Sequence, residues 1–473
     1  MDDLTAHPWF FCGIGGSGML PLALILKGMG GAVAGSDRSR DQGRTPEKFA
    51  WLESLGFGLF PQDGSGVTSA AQVLVASAAV EETVPEMVRA RELRCPRLSR
   101  AELLARLFNA ASGRIAIGGT SGKSTVTGMA GWIMTAAGRD PTIMNGAVMK
   151  NFVRDDAPFA SARVGAIDSG GGEAFVSEVD ESDGSIALYN PTVAALLNVS
   201  LDHKSMEELR DLFGDFLARA DVAAINLDDA ETAALAPRAK RVIGFAIDNP
   251  AAAIGVEVGS ITEGPTGLTA TIVDRRSGAA WPLQLKVPGR HNLANALAAL
   301  AACDAAGVPL GDGVAALGSF AGLARRFDII GTSPSGVTVI DDFGHNPDKV
   351  AATLRTLKTH PGRVIAFFQP HGYGPLRQMG HELAEVFARE LGPDDLAILC
   401  DPVYFGGTVD KSEGSARIVD LIKAAGGKAE YVPSREDCAA RIAAIAQPGD
   451  RIAVMGARDD TLTAFAKDLL TRL

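Results

Sequence analysis

The sequence predicts an α/β protein of three domains in series, and three stretches carry that prediction. Residues 8–37, PWFFCGIGGSGMLPLALILKGMGGAVAGSD, read as strand, glycine turn, helix and second strand. Residues 113–127, GRIAIGGTSGKSTVT, repeat the strand–glycine–helix order with a lysine in the loop. From ARRFDIIG (324–331) onward, apolar strands GVTVIDDFG, GRVIAFFQP, LAILCDPV and DRIAVMGA alternate with helical segments.

In the first domain, AAQVLVASAAV (70–80) reads as a later strand, and SRAELLARLFNAAS (99–112) as a helix leading to a boundary near Ala110. Beyond it, AFVSEVD, TVAALLNVS and DVAAINLD alternate with STVTGMAGWIMTAAG and MEELRDLFGDFLARA, which predicts a second parallel sheet covered by helices. The stretch from Ile254 to Gly289 alternates with period two and predicts a small antiparallel β portion before the helix HNLANALAALAACDAAG. The expected domains are 1–109, 110–322 and 323–473. With no short-period repeat, low-complexity tract or long linker, they are expected to pack around a shared cleft.

A chain of 473 residues with 47% hydrophobic and 21% charged residues is long enough for more than one core. A net charge of -11 argues against broad attraction to nucleic acid and still allows a local basic pocket for an anion. The five cysteines form no C-x-x-C pair and read as reduced, buried small hydrophobes. The start MDDLTAHPWFF lacks a basic segment and cleavage site, and no apolar run reaches membrane-spanning length. A cytoplasmic protein without a membrane partner is expected.

Gly13-Ile14-Gly15-Gly16-Ser17-Gly18 is a G-x-G-x-x-G turn after a strand, with Asp37 at the end of the next strand. Such glycines let backbone approach a pyrophosphate at a helix N-terminus, and the acid suits a ribose or base donor. A dinucleotide enzyme, a nucleotide-sugar binder and an ordinary tight turn all show this pattern. The loop Gly118 to Thr125 is more specific: its amides suit β- and γ-phosphates, Lys123 their charge, and Ser124 or Thr125 a Mg²⁺ ion. Four acids follow an apolar strand in Ser177 to Asp183, where Glu181 is the expected metal carboxylate. Asn198 to His203 ends a strand on the same sheet edge. In the third domain Asp341 to Pro347 and Phe368 to His371 each close a strand, and Arg325-Arg326 reads as a surface pair or a phosphate clamp.

Taken in order, these motifs resemble the Mur ligase family, ATP-dependent enzymes that add amino acids to UDP-N-acetylmuramate in peptidoglycan synthesis. The resemblance rests on Gly13 to Met19, Gly35-Ser36-Asp37, Gly119-Thr120-Ser121-Gly122-Lys123-Ser124-Thr125, the D-E-S-D acids, the N-x-x-x-D-H strand end, Gly289-Arg290-His291-Asn292, Arg325-Arg326-Phe327-Asp328 and the D-D-F-G-H-N-P turn. It implies Rossmann-like first and third domains around a phosphate-loop ATPase-like centre. Gly15, Gly16, Ser17, Gly18 and Asp37 would hold the UDP-sugar. The 119–125 loop would hold ATP, with Ser124 and Glu181 on one Mg²⁺ and His203 on another; Lys123, Glu181 and His203 would form the catalytic set. His291 and Asn292 would face adenine, Arg326 and Asp342 phosphate and ribose. His345, His371 and Arg377 would lie by the amino acid or short peptide.

The resemblance further implies an acyl phosphate, formed when the muramate carboxylate attacks the γ-phosphate and then captured by the amine, in a monomer or dimer. Many relatives carry a carbamylated lysine after the D-H motif, but none stands between Lys204 and Lys240, as in the alanine-adding and tripeptide-salvaging branches. Two departures concern the amine. Where alanine-adding members carry R-[YF]-[ST]-R, this chain reads Gly372-Tyr373-Gly374-Pro375, and Phe343 and Asn346 replace a tyrosine and a histidine. Asn151-Phe152 and the extra segment RVGAIDSGGGEA are reminiscent of the tripeptide branch. L-alanine is the expected amine, with a peptide or another amine as the alternative. A nicotinamide oxidoreductase would leave Lys123 and Glu181 without purpose.

Overall fold

The computed structural model describes residues 6–78, 80–166, 174–201, 204–403, 413–457, 459 and 461–473. Three sheets are distributed over two compact units, Met1–Glu263 with Gly267–Gly322, and Gly264–Thr266 with Leu323–Leu473.

The first sheet runs Gly58–Phe60, Ala32–Ser36, Pro8–Cys12, Val73–Ala76, Arg97–Ser99, all parallel. Chain order reverses on either side of Pro8–Cys12, which opens a crevice beyond the strand ends where the Gly13–Gly18 turn lies. The helix Met19–Gly28 seals this sheet with the fully buried Leu22, Ile25 and Leu26. Ser99 starts the helix Arg100–Ala110 through a reciprocal capping box with Glu102. That helix inserts Phe108 edge-on against Phe175 (5.6 Å) and Tyr189 (5.2 Å) of the central region, so the first two sheets share one continuous core.

The central sheet has a parallel body in the order Val242–Phe245, Val222–Asn226, Val193–Leu196, Gly113–Gly118, Ala174–Glu178, Thr142–Met144. Small and β-branched residues buried on both faces fit these strands between helices. The phosphate-loop strand Gly113–Gly118 sits between the strand that ends in the acidic motif and the strand that precedes Asn198, in the registers Ile117↔Glu178 and Leu196↔Gly118. The antiparallel portion expected before Gly289 is not a separate body. Ile254–Val256 pairs parallel with Val242–Phe245 and antiparallel with Gly267–Asp274, so the ribbon extends the edge of the central sheet.

The second unit holds a sheet in the order Asp328–Thr332, Thr338–Asp342, Arg451–Gly456, Val364–Gln369, Leu396–Leu399, Ala429–Tyr431, parallel except for its antiparallel first strand. Helices Pro347–Lys358, Tyr373–Glu390 and Ser415–Ala424 pack on one face, Arg435–Ile445 and Thr461–Thr471 on the other. Among the described residues no helix is long and apolar enough to cross a membrane. All five cysteines are buried.

Candidate active site

The central loop turns on Gly119 (φ 139°) and Gly122 (φ 85°), backbone states that a side chain would strain. A Cβ at Gly122 would also stand 2.6 Å from Asn295 Oδ1. Asn198, beyond the neighbouring strand, braces the loop: its Oδ1 accepts from Thr120 Oγ1 and from the Ser121 amide, each at 2.9 Å. The helix Lys123–Ala136 begins at the loop, so its amino-terminal dipole faces the same space. Thr125 lies in its first turn. In the helix Arg290–Ala305, whose Asn295 stands against Gly122, Asn292 is buried and accepts from Asn295 Nδ2 (3.2 Å), whereas His291 is exposed on the same turn.

Two carboxylates meet the loop's polar side chains. Lys123 Nζ donates to Glu181 Oε2 and to the Gly119 carbonyl, both at 2.7 Å. Ser124 Oγ donates to Glu178 Oε2 at 2.7 Å, and Glu178 Oε1 accepts from the Gly146 amide at 2.5 Å. Glu181 was expected to share a Mg²⁺ with Ser124; the carboxylate that Ser124 itself meets is Glu178. Glu178 is the last residue of its strand and level with Ile117, whereas Glu181 lies on the following turn and reaches the lysine. His203 and Asp202 lie outside the described residues.

The first loop is built differently. The Gly13 and Ile14 amides donate to the Ser36 carbonyl (2.8 and 3.0 Å), and the Gly15 amide donates to Asp37 Oδ2 (2.8 Å). Asp37 Oδ1 accepts from the Ser39 amide (2.8 Å), so a carboxylate expected to face ribose or base is engaged on both oxygens by backbone and is only 7% exposed. Gly15 is buried, Gly16 and Ser17 are exposed, and Gly18 is half-buried with the Arg100 side chain against it. A cavity of about 470 Å³ lies beside the neighbouring strand ends, with Ser77, Glu82, Arg97 and Ser99 in its wall.

In the second unit Asp342, expected to reach ribose, is likewise turned inward. Its Oδ2 accepts from the Phe327 amide (2.7 Å), and its Oδ1 from the Gly344 amide and the Thr353 hydroxyl (2.8 Å each), so it shapes the turn. His345 and His371 are brought together, with ring centroids 5.1 Å apart. Burial, followed by the positive charge of Lys349, pushes His345 down to about 4, which keeps it neutral at physiological pH. Arg326 is half-buried over the ring of Phe343 (4.5 Å). Arg325 is no surface residue: it is 8% exposed. Gly372 (φ 142°) precedes the helix that Tyr373 begins, and Arg377 lies one turn along it, exposed.

Three family models match the chain in succession: "Mur ligase family, catalytic domain" over residues 10–112, "Mur ligase middle domain" over 117–303, and "Mur ligase, glutamate ligase domain" over 325–458. The UDP-N-acetylmuramate–L-alanine ligase of Agrobacterium fabrum is 36% identical, covering 96% of this chain and 95% of the relative. That of Clavibacter michiganensis is 36% identical over 95% of this chain and 90% of its own. Among solved structures, the UDP-N-acetylmuramate–alanine ligase of Thermotoga maritima superposes with a TM-score of 0.79 at 25% identity, covering 98% of this chain and 99% of that one. A murein peptide ligase from Psychrobacter arcticus shares the fold at a TM-score of 0.73 and 23% identity, with 98% of each chain covered. The ordered loops, the three α/β sheets and full-length similarity agree, and the chain belongs to the Mur ligase family.

Proposed function

We propose that this chain is an ATP-dependent ligase that joins L-alanine to the carboxylate of UDP-N-acetylmuramate through an acyl phosphate, in peptidoglycan synthesis. One observation carries it: a phosphate-type loop whose lysine and serine each rest on a carboxylate at or just beyond the end of the neighbouring strand Ala174–Glu178. Relatives similar over nearly the whole chain bear that ligase's name. The proposed domains are 1–109 for the UDP-sugar, 110–322 for ATP and 323–473 for the amine and part of the nucleotide.

Ser124 and Glu178 supply hard oxygens 2.7 Å apart at the mouth of the loop, a donor set that fits Mg²⁺. Glu181 stands next to Lys123, and His203 is kept as a further ligand on the family resemblance. Bound Mg²⁺ offsets the charge of the transferring phosphoryl group. The loop amides of Gly119 to Thr125 hold the phosphates and Lys123 exchanges Glu181 for a phosphate oxygen, which leaves the γ-phosphate open to in-line attack. Gly15 to Gly18 receive the UDP-sugar, with Asp37 shaping that loop. His291 and Asn292 serve the adenine side and Arg326 a phosphate, with Asp342 holding its turn. His345 and His371, the former neutral, border the amine, which must be deprotonated to attack. The enzyme acts in the cytoplasm as a monomer or dimer.

The test is release of ADP and phosphate that requires both UDP-N-acetylmuramate and L-alanine. Absence of release with every amino acid and short peptide offered would overturn the ligase assignment. A second reading, a peptide as the amine, is favoured by Gly372-Tyr373-Gly374-Pro375 in place of the two arginines expected there. Mass spectrometry of the product across the same panel separates the two.

A further inference from the structure

The segment joining Gly322 to the strand Asp328–Thr332 holds two non-glycine residues in the left-handed region, Arg325 (φ 60°) and Phe327 (φ 47°). Such strain persists only where the surroundings enforce it, and it marks positions where geometry matters more than local ease. The surroundings of Arg325 are unusual in the same way. Its guanidinium is buried and donates to the Gly456 carbonyl (2.6 Å) and the Asp459 carbonyl (3.0 Å). Its Nε stands 3.6 Å from Asp341 Oδ1, too far for a hydrogen bond, and neither atom has a hydrogen-bond partner among the described residues. Asp341 is fully buried and accepts from Thr463 Oγ1 (2.6 Å). A buried ion pair is weak evidence for a stabilising role, which leaves room for a positioning one.

What the arrangement holds in place is Phe343. The Phe343 amide donates to the Arg325 carbonyl (2.9 Å), and the Arg325 guanidinium lies 5.1 Å from the Phe343 ring centroid. The same ring carries Arg326 at 4.5 Å and meets His345 edge-on at 5.4 Å, while the Phe343 carbonyl is 2.9 Å from His345 Nδ1. Beyond His345 stands His371. Phe343 is thus the common support of a half-buried cation and of the paired imidazoles, and Arg325 anchors it from beneath.

We propose that Arg325 is a positioning residue, which fixes the Phe343 ring and through it the guanidinium of Arg326 and the imidazole of His345. The proposal rests on the ligase function argued above, in which Arg326 and His345 face nucleotide and amine. Arg325 itself touches neither substrate. A lysine at 325 keeps the charge and loses the fork that grips two carbonyls and a ring at once.

The experiment is a double-mutant cycle on the full-length enzyme with Arg325→Lys, Phe343→Leu and the pair. It measures kcat, the KM for ATP, L-alanine and UDP-N-acetylmuramate, and the melting temperature of each protein. Each single change is expected to lower kcat/KM for ATP and for the amine by about tenfold or more, because small misplacements of positioned groups are costly. The KM for UDP-N-acetylmuramate is expected to stay unchanged. The double variant is expected to be no worse than the poorer single, because both changes release the same support. Phe343→Tyr, which keeps a ring, should retain wild-type kinetics. Should Arg325→Lys fail to fold, Asp341→Asn takes its place, loosening Arg325 without removing it. Multiplying effects, a Phe343→Leu enzyme with wild-type kinetics, or losses that follow melting temperature alone would each overturn the proposal. A wild-type enzyme inactive on every acceptor would instead overturn the ligase function, so the two failures are distinguishable.

Discussion

The two glycine loops of the first unit share a plan and differ in what they offer an anion. Each follows a buried parallel strand and precedes a helix. In the first loop, the Gly13, Ile14 and Gly15 amides are taken by Ser36 and Asp37, and the acid that takes Gly15 brings a negative charge to the loop. In the central loop, Lys123 and Ser124 hold their carboxylates through side chains that can exchange partners when phosphate arrives. Glycines therefore set how closely a backbone can approach, while the side chains between them decide what charge it meets. A loop of the first kind positions a ligand, and one of the second kind can take part in chemistry.

The largest test of this contrast is Lys123→Ala, expected to lower phosphate release by about a thousandfold, since the cation serves the transferring group. Activity within tenfold of wild type would erase the distinction between the loops. Next comes the pair of acids. Glu178→Gln is expected to raise the half-saturating Mg²⁺ concentration by about ten- to a hundredfold, whereas Glu181→Gln should change it little, because Glu181 meets Lys123 rather than Ser124. The opposite result in a magnesium titration would reassign the metal carboxylate.

In the first loop, a Cβ at Gly15 would meet Phe49 Cζ at 2.9 Å and Asp37 Oδ2 at 3.0 Å. Gly15→Ala is therefore expected to raise the KM for UDP-N-acetylmuramate by about tenfold and leave the KM for ATP unchanged, because the misfit displaces one loop only. A changed KM for ATP would show that the loops are not independent.

The smallest effect concerns pH. Burial opposes ionisation of Asp180, but the Ser182 hydroxyl and amide, then Lys123 and Arg100, hold its carboxyl below the ordinary range. A lowered carboxyl contributes stability that is complete above the unfolded value of about 3.9 and is lost as pH falls through the folded value. Asp180→Asn should cost about 1 kcal/mol in urea unfolding at neutral pH, with the penalty vanishing in strong acid. A penalty independent of pH would mean that the side chain's shape matters there rather than its charge.

Local pattern revealed much of this. The βαβ opening and the strand before each loop were legible because buried parallel strands read as short apolar runs bounded by glycine. Lys123, Ser124 and the acidic cluster were legible because few functions require that order. The backbone bonds of Asp37 and Asp342 were not legible, because a carboxylate at a strand end is as able to cap nearby backbone amides as to meet a ligand, and sequence does not distinguish the two. Arg325 read as part of a surface pair or a phosphate clamp, because arginine is usually exposed or bound to an anion. Its burial depends on carbonyls of Gly456 and Asp459, more than 100 positions away in the chain.

By itself, then, the sequence determined the α/β class, the two loops and the family, all of which follow from residue type at short spacing. Tertiary structure decided which of two nearby acids stands beside Ser124, which glycine amides are already engaged, and which arginine lies buried. Those outcomes depend on strand register and on partners distant in sequence. One residue along a strand turns a side chain to the opposite face, and only the paired sheet specifies which face meets the loop.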